Sequence, residues 1–151
     1  MKIIIYGSQY GTARKYAEEF AKRTNIEIKS YKDVTDIDQY NTVVYIGSLY
    51  AGGVLGMKKT LAKILQCQDK KIIIATVGLA APADMENTDN IKNSMKRQLS
   101  KELYENAYIF HLRGGIDYSR LNFKHKAMIE TYNQKVNFVD FEILNRLTDC
   151  I

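Results

Sequence analysis

The chain has no tryptophan, one proline and two cysteines in 151 residues, and each scarcity closes off a class of protein. Without tryptophan, stacking on a flat ligand falls to tyrosine, of which there are 11. A lone proline, Pro82, rules out a proline-rich linker or arm. Cys67 and Cys150 have no CxxC spacing and offer no disulfide framework, so a reduced, cytoplasmic protein is expected. His111 lies in a strand-like run and His125 on an apolar helical stripe. Neither has cysteine or carboxylate company at metal-ligand spacing, so both read as structural and no metal site is expected. No apolar run approaches the roughly 20 residues of a membrane-spanning helix. The opening "MKIIIYG" lacks the apolar region of a signal peptide, so none is expected.

What is present is a repeating order of short β-branched runs: "KIIIY", "IEIKSY", "TVVYIG", "KIIIATV" and "AYIFHL". Several are apolar without alternation, as strands buried on both faces of a parallel sheet read. Helical spacing separates them. One helix is predicted from Thr12 to about Arg23, with Ala13, Tyr16, Ala17 and Phe20 on its inner face. A second carries Met57, Leu61, Ile64 and Leu65, and a third carries Ile91, Met95, Leu99 and Leu103. Ile26 to Thr42 has no strong helix of its own. Beyond the fifth strand, Leu121, His125, Met128, Ile129 and Tyr132 mark a helix, and Val136 to Val139 reads as extended. Asp140 is placed to cap a last helix with Phe141, Ile143, Leu144 and Leu147. The alternation predicts one α/β domain over residues 1–151, a doubly wound sheet with helices on both faces. Ligands of such sheets bind beyond the carboxyl ends of the strands. The chemistry is therefore expected in the loops after the strands at 3–6, 43–46 and 72–76.

The first of these loops, Ser8, Gln9, Tyr10, Gly11, Thr12 and Ala13, lacks the Gly-Lys-Ser/Thr of a Walker A loop and the GxGxxG of a dinucleotide fingerprint. It remains a set of hydroxyls and main-chain donors aimed at a helix N-terminus, which suits either a phosphate or an ordinary capped turn. The second, Ser48, Leu49, Tyr50, Ala51 and Gly52, opens a stretch with four glycines between Gly47 and Gly56. Its tyrosine either stacks on an aromatic ligand or lies on the surface, and Gly52 and Gly53 suggest a backbone that comes close to something flat or changes conformation. Thr76, Val77, Gly78 and Leu79 leave the fourth strand with small side chains whose main chain can pair with the edge of a heterocycle. Gly47 and Ser48 end the third strand where a receiver domain would need its phosphorylated aspartate, which excludes that alternative.

"GSQYGTA", "GSLYAGG" and "TVGLAAP" together resemble the phosphate loop and the two ring-enclosing loops of the flavodoxin-like family, over essentially the whole chain. The resemblance implies a five-stranded parallel sheet in the order 2-1-3-4-5 and a non-covalently bound flavin mononucleotide (FMN). It also implies a main-chain carbonyl near Ala51–Gly52 turned toward the flavin N5, with no side chain acting as acid or base. Ala13 stands where flavodoxins usually carry the last hydroxyl of the phosphate loop. "GGIDYSRLNFKHKAMI" followed by "VNFVDFEIL" is similar to the branch containing the quinone-dependent protoporphyrinogen oxidases of heme biosynthesis.

Partners are less defined. The formal net charge is +5, whereas electron-carrying flavodoxins are usually acidic. Arg113, Arg120, Lys124 and Lys126 face only Asp117 within "LRGGIDYSRLNFKHK". This stretch is either an ordinary solvated face or a docking surface for an acidic redox partner or an anionic membrane surface; nucleic acid is not expected. Three functions follow: an FMN redox protein, a protoporphyrinogen oxidase passing electrons to a quinone, or an interaction domain without flavin.

Overall fold

Ile3, Ile4 and Ile5 are all at most 1% exposed, so the first strand is covered on both faces, as its unbroken apolar run requires. The structure, a computed structural model, describes residues 1–8, 11–50, 53–64, 69–78, 85–113 and 144–150. Strand β1 (Lys2–Gly7) leads into helix α1 (Thr12–Thr24) and edge strand β2 (Glu27–Ser30). A 3-10 turn (Tyr31–Asp33) then starts the crossing to β3 (Thr42–Tyr50), which folds back as the two-residue β4 (Gly53–Val54). Helix α2 (Met57–Leu61), β5 (Lys71–Gly78), α3 (Met85–Gln98), α4 (Lys101–Asn106), β6 (Ala107–Arg113) and α5 (Leu144–Cys150) complete the described elements.

Five strands pair in parallel in the order β2-β1-β3-β5-β6, and β4 pairs antiparallel with the end of β3. Leaving out β4, this is the expected order. The chain moves outward from β1 to β2 and then crosses back to β3, so the topological switch lies between β1 and β3. Alternate side chains of the central strands feed two cores. Ile3, Ile5, Val43, Tyr45, Ile72 and Ile74 meet Met57, Leu61, Ile91, Met95, Leu99 and Leu103. Ile4, Val44, Ile46, Ile73, Ala75 and Val77 meet Ala13, Tyr16, Ala17 and Phe20 of α1 and Leu144 and Leu147 of α5.

The departures from expectation have local causes. The third helix is two helices, because Ser100 is extended (φ −61°, ψ 155°) and its side chain accepts the Leu103 amide, capping α4. The second helix stops after Leu61, although Ile64 still packs in the core. As expected, the β2–β3 crossing has no α-helix. Val34, Ile37 and Tyr40 bury it, while Lys63 Nζ donates to the Val34 carbonyl (2.6 Å) and Lys70 Nζ to that of Asp38 (2.6 Å). Two central strands also run past their expected ends, β3 to Tyr50 and β5 to Gly78. Ser48, Leu49, Tyr50, Val77 and Gly78 are therefore strand residues rather than loop residues. Cys67, Pro82, His125, the helix around Leu121 and the extended run at 136–139 lie outside the described residues.

Candidate functional site

The carboxyl ends of β1, β3 and β5 lie side by side: Gly7 pairs with Gly47, Gly47 with Thr76, and Ser48 with Val77. The three sequence loops thus start from one edge of the sheet, flanking the switch point. Their first corner is built from Ser8 and Gly11. The Ser8 hydroxyl accepts the Gly11 amide (2.8 Å), and its own O–H remains a donor. Gly11, at φ 94°, takes the left-handed turn into α1, a conformation costly for a residue with a Cβ. As the N-cap it brings no side-chain oxygen, and no acid stands in the first turn of this 13-residue helix. The start of α1 thus has no side-chain cap, and the positive end of the helix dipole lies at this corner.

Thr12 opens α1 and is half-buried. The Ala13 side chain is fully buried against α1's own core neighbours, so what Ala13 can offer the corner is main chain. Gln9 and Tyr10, placed in the same loop by the sequence, lie outside the described residues.

The second corner is pinned by protein. Leu55 N donates to the Ser48 carbonyl (2.9 Å), and the Tyr45 hydroxyl donates to the Leu55 carbonyl. Burial pushes the Tyr45 phenol well above its usual range, so it stays protonated as a donor. On Gly7 a Cβ would sit 2.2 Å from the Leu55 carbonyl oxygen and 2.9 Å from the Tyr45 hydroxyl. On Gly53 it would sit 1.8 Å from the Gln98 side-chain nitrogen. That close approach is to the Gln98 side chain of α3. Leu49 is half-buried, and a Cβ on Gly78 would meet its Cδ1 at 2.7 Å. Ser48 is half-buried as well. The Tyr50 backbone pairs with Gly53, whereas Ala51 and Gly52 lie outside the described residues, as does Leu79.

At the third corner Thr76 and Val77 are 1% and 5% exposed, and the two strand neighbours of β5 hold their backbone. Thr76 Oγ1 is 2.6 Å from His111 Nδ1. Burial, and secondarily the charge of Lys92, lowers the His111 pKa. Its other ring nitrogen, Nε2, is buried with no hydrogen-bond partner among the described residues. At the opposite end of the strands lies an open groove of about 500 Å³, lined by Lys2, Arg23, Asn25, Glu27 and Thr148 among others. It sits at the strands' amino ends, away from the switch point.

Sequence reasoning missed the residues that hold the second corner. A tyrosine inside the apolar run of β3 needs a partner for its hydroxyl, and this signal could have marked Tyr45. Gln98, on a polar helical stretch, gives no such signal.

The fold recurs in solved structures. The azoreductase of Bacillus anthracis str. Sterne superposes with a TM-score of 0.54 at 9% identity, covering 99% of this chain and 99% of its own. The FMN-dependent NADH-azoreductase from Bacillus anthracis str. Ames Ancestor, solved in complex with FMN, gives 0.50 at 14% identity, covering 97% and 98%. The protein Smu.1420 from Streptococcus mutans UA159 gives 0.55 at 9% identity over 100% of both chains. No curated protein matches the chain. The family model described as a flavodoxin domain matches residues 3–137, which takes in the parallel sheet apart from Lys2 and all three corners, and the chain belongs to that family.

Proposed function

We propose that the chain binds FMN at the carboxyl edge of β1, β3 and β5 and serves as an electron-transferring flavoprotein. One observation carries this reading: the first corner brings the uncapped N-terminus of α1 to the very edge where the three central strands end together. Ser8, Gly11, Thr12 and the amide of Ala13 fit a single phosphate, held by main-chain donors, a hydroxyl and the helix dipole without a dedicated lysine. The pinned second corner and the end of β5 would flank the ring, with tyrosine as the stacking residue. Family membership supports the reading, as does the FMN bound to the azoreductase of the same fold.

FMN, when bound, supplies the redox chemistry, and the protein supplies position and electrostatics. Here the chain's own part is to hold the phosphate, exclude water from the ring and present main-chain groups to its edge. One phosphate corner and no dinucleotide fingerprint favour FMN over FAD or a nicotinamide. The test is the absorbance spectrum of purified chain incubated with flavins, followed by chromatography of heat-released cofactor. Bound FMN is expected; FAD as the main species, or a colourless protein, would refute the proposal.

For the redox partner only the charge of the sequence supplies a lead. An acidic redox partner or an anionic membrane surface is proposed to meet Arg113, Arg120, Lys124 and Lys126. A protoporphyrinogen oxidase remains the narrower alternative, resting on the runs at 114–129 and 136–144, of which all but Leu144 lie outside the described residues. Turnover of protoporphyrinogen with a quinone separates it from a simple electron carrier.

A further inference from the structure

The second corner is held from outside its own loop. Gln98, the last residue of α3, lays its side-chain amide over the Gly53–Val54 backbone: Oε1 accepts the Val54 amide (3.3 Å), and Nε2 occupies the space that a Cβ on Gly53 would take. Gln98 is 44 residues away in sequence, so this bond is tertiary and not part of the hairpin's own geometry. Gly53 and Val54 are buried, and both belong to the short strand paired to the end of β3. Besides the backbone pairing of this strand with Leu49 and Tyr50, the ties from Tyr45 and Ser48 reach Leu55. Among the described residues, Gln98 is thus the side chain that fixes the strand just after Ala51–Gly52, while α3 itself is anchored in the core through Ile91 and Met95.

We propose that Gln98 is a positioning residue for the flavin ring. It latches the second corner to α3 in the geometry that receives the ring, and Gly53 is glycine so that the latch can close. The proposal rests on the FMN reading above. It differs from general stabilisation because it separates the two halves of the ligand: the latch touches the ring corner and leaves the phosphate corner of Ser8 and Gly11 alone.

Gln98→Leu removes the acceptor and keeps the bulk, and Gly53→Ala displaces the amide from the other side. Either change should raise the dissociation constants of FMN and riboflavin by the same factor, roughly three- to tenfold, the worth of one neutral hydrogen bond. In the flavin-free protein the Val54 amide should exchange with deuterium faster by a similar factor, and the double variant should be no worse than the single ones. Gln98→Glu, which retains an acceptor, should restore slow exchange at Val54. Unchanged flavin affinity in Gln98→Leu, or weakening of FMN with riboflavin unaffected, would overturn the proposal. Failure of the wild-type chain to take up any flavin would instead overturn the function on which it rests.

Discussion

The first and second corners of the candidate site are built on opposite plans, although both are rich in glycine. At the first, Gly11 serves the backbone's conformation: it turns at φ 94° into α1 and leaves the helix start without a side-chain cap. At the second, packing decides: Gly53 admits Gln98, and the Leu55 carbonyl fills the space that a Cβ on Gly7, at the end of β1, would take. A corner whose helix start has no side-chain cap can receive an anion. A corner whose contacts are already made by the protein can offer only a shaped wall. The contrast suits a ligand with a charged end and a flat end.

The largest expected effect attacks the packed corner. Gly7→Ala places a Cβ against the backbone carbonyl of Leu55, where no side chain can swing aside. Overpacking of this kind should lower unfolding stability by about 3 kcal/mol in urea denaturation. A loss below a few tenths would show that the hairpin yields and that the wall is soft.

Next comes the open corner. Ser8→Ala removes a hydroxyl that accepts from Gly11 and can donate to a phosphate. A hydrogen bond to a charged group contributes roughly 1.5–3 kcal/mol, so FMN affinity should fall about tenfold or more while riboflavin affinity hardly changes. An unchanged FMN dissociation constant would move the phosphate elsewhere.

The third corner predicts a dependence on acid. Folding lowers the His111 pKa from the model-peptide value near 6.5, chiefly by burial. The unfolded chain then binds the proton more readily. The contribution is full above about pH 6.5 and is lost as pH falls below it through the folded-state pKa. His111→Gln should remove that part of the acid sensitivity, seen as a smaller drop in urea midpoint between neutral and mildly acidic buffer. An identical drop in both proteins would assign the sensitivity to other groups.

How much of this was legible beforehand follows the physics of each element. Unbroken Ile and Val runs announced the parallel sheet, because burial on both faces leaves no polar alternation to confuse them. The Ser8–Thr12 corner was legible because local chemistry makes it: a strand end, a glycine and a helix start within a few residues. The extension of β3 and β5 was not, since strand ends are decided by pairing with neighbours distant in sequence. Nor was the role of Gly53, whose reason lies in Gln98 on another element. Ser100 could have been read as a helix breaker, but the apolar stripe through Leu99 and Leu103 masked it.

A smaller effect concerns the partner. Changing Arg120, Lys124 and Lys126 together to Gln should leave FMN affinity intact, slow electron transfer to an acidic partner, and flatten the dependence of that rate on salt. Equal rates and equal salt slopes would reduce the basic run to ordinary surface.

The central claim is that the open corner holds a phosphate and the packed corner a ring, and titrating the wild-type chain with FMN and with riboflavin tests it most directly. Charge-assisted hydrogen bonds and the α1 dipole should make FMN bind at least about tenfold more tightly than riboflavin, with the gap closing as inorganic phosphate is added to compete. Equal affinity for the two flavins, or binding of neither, would contradict it.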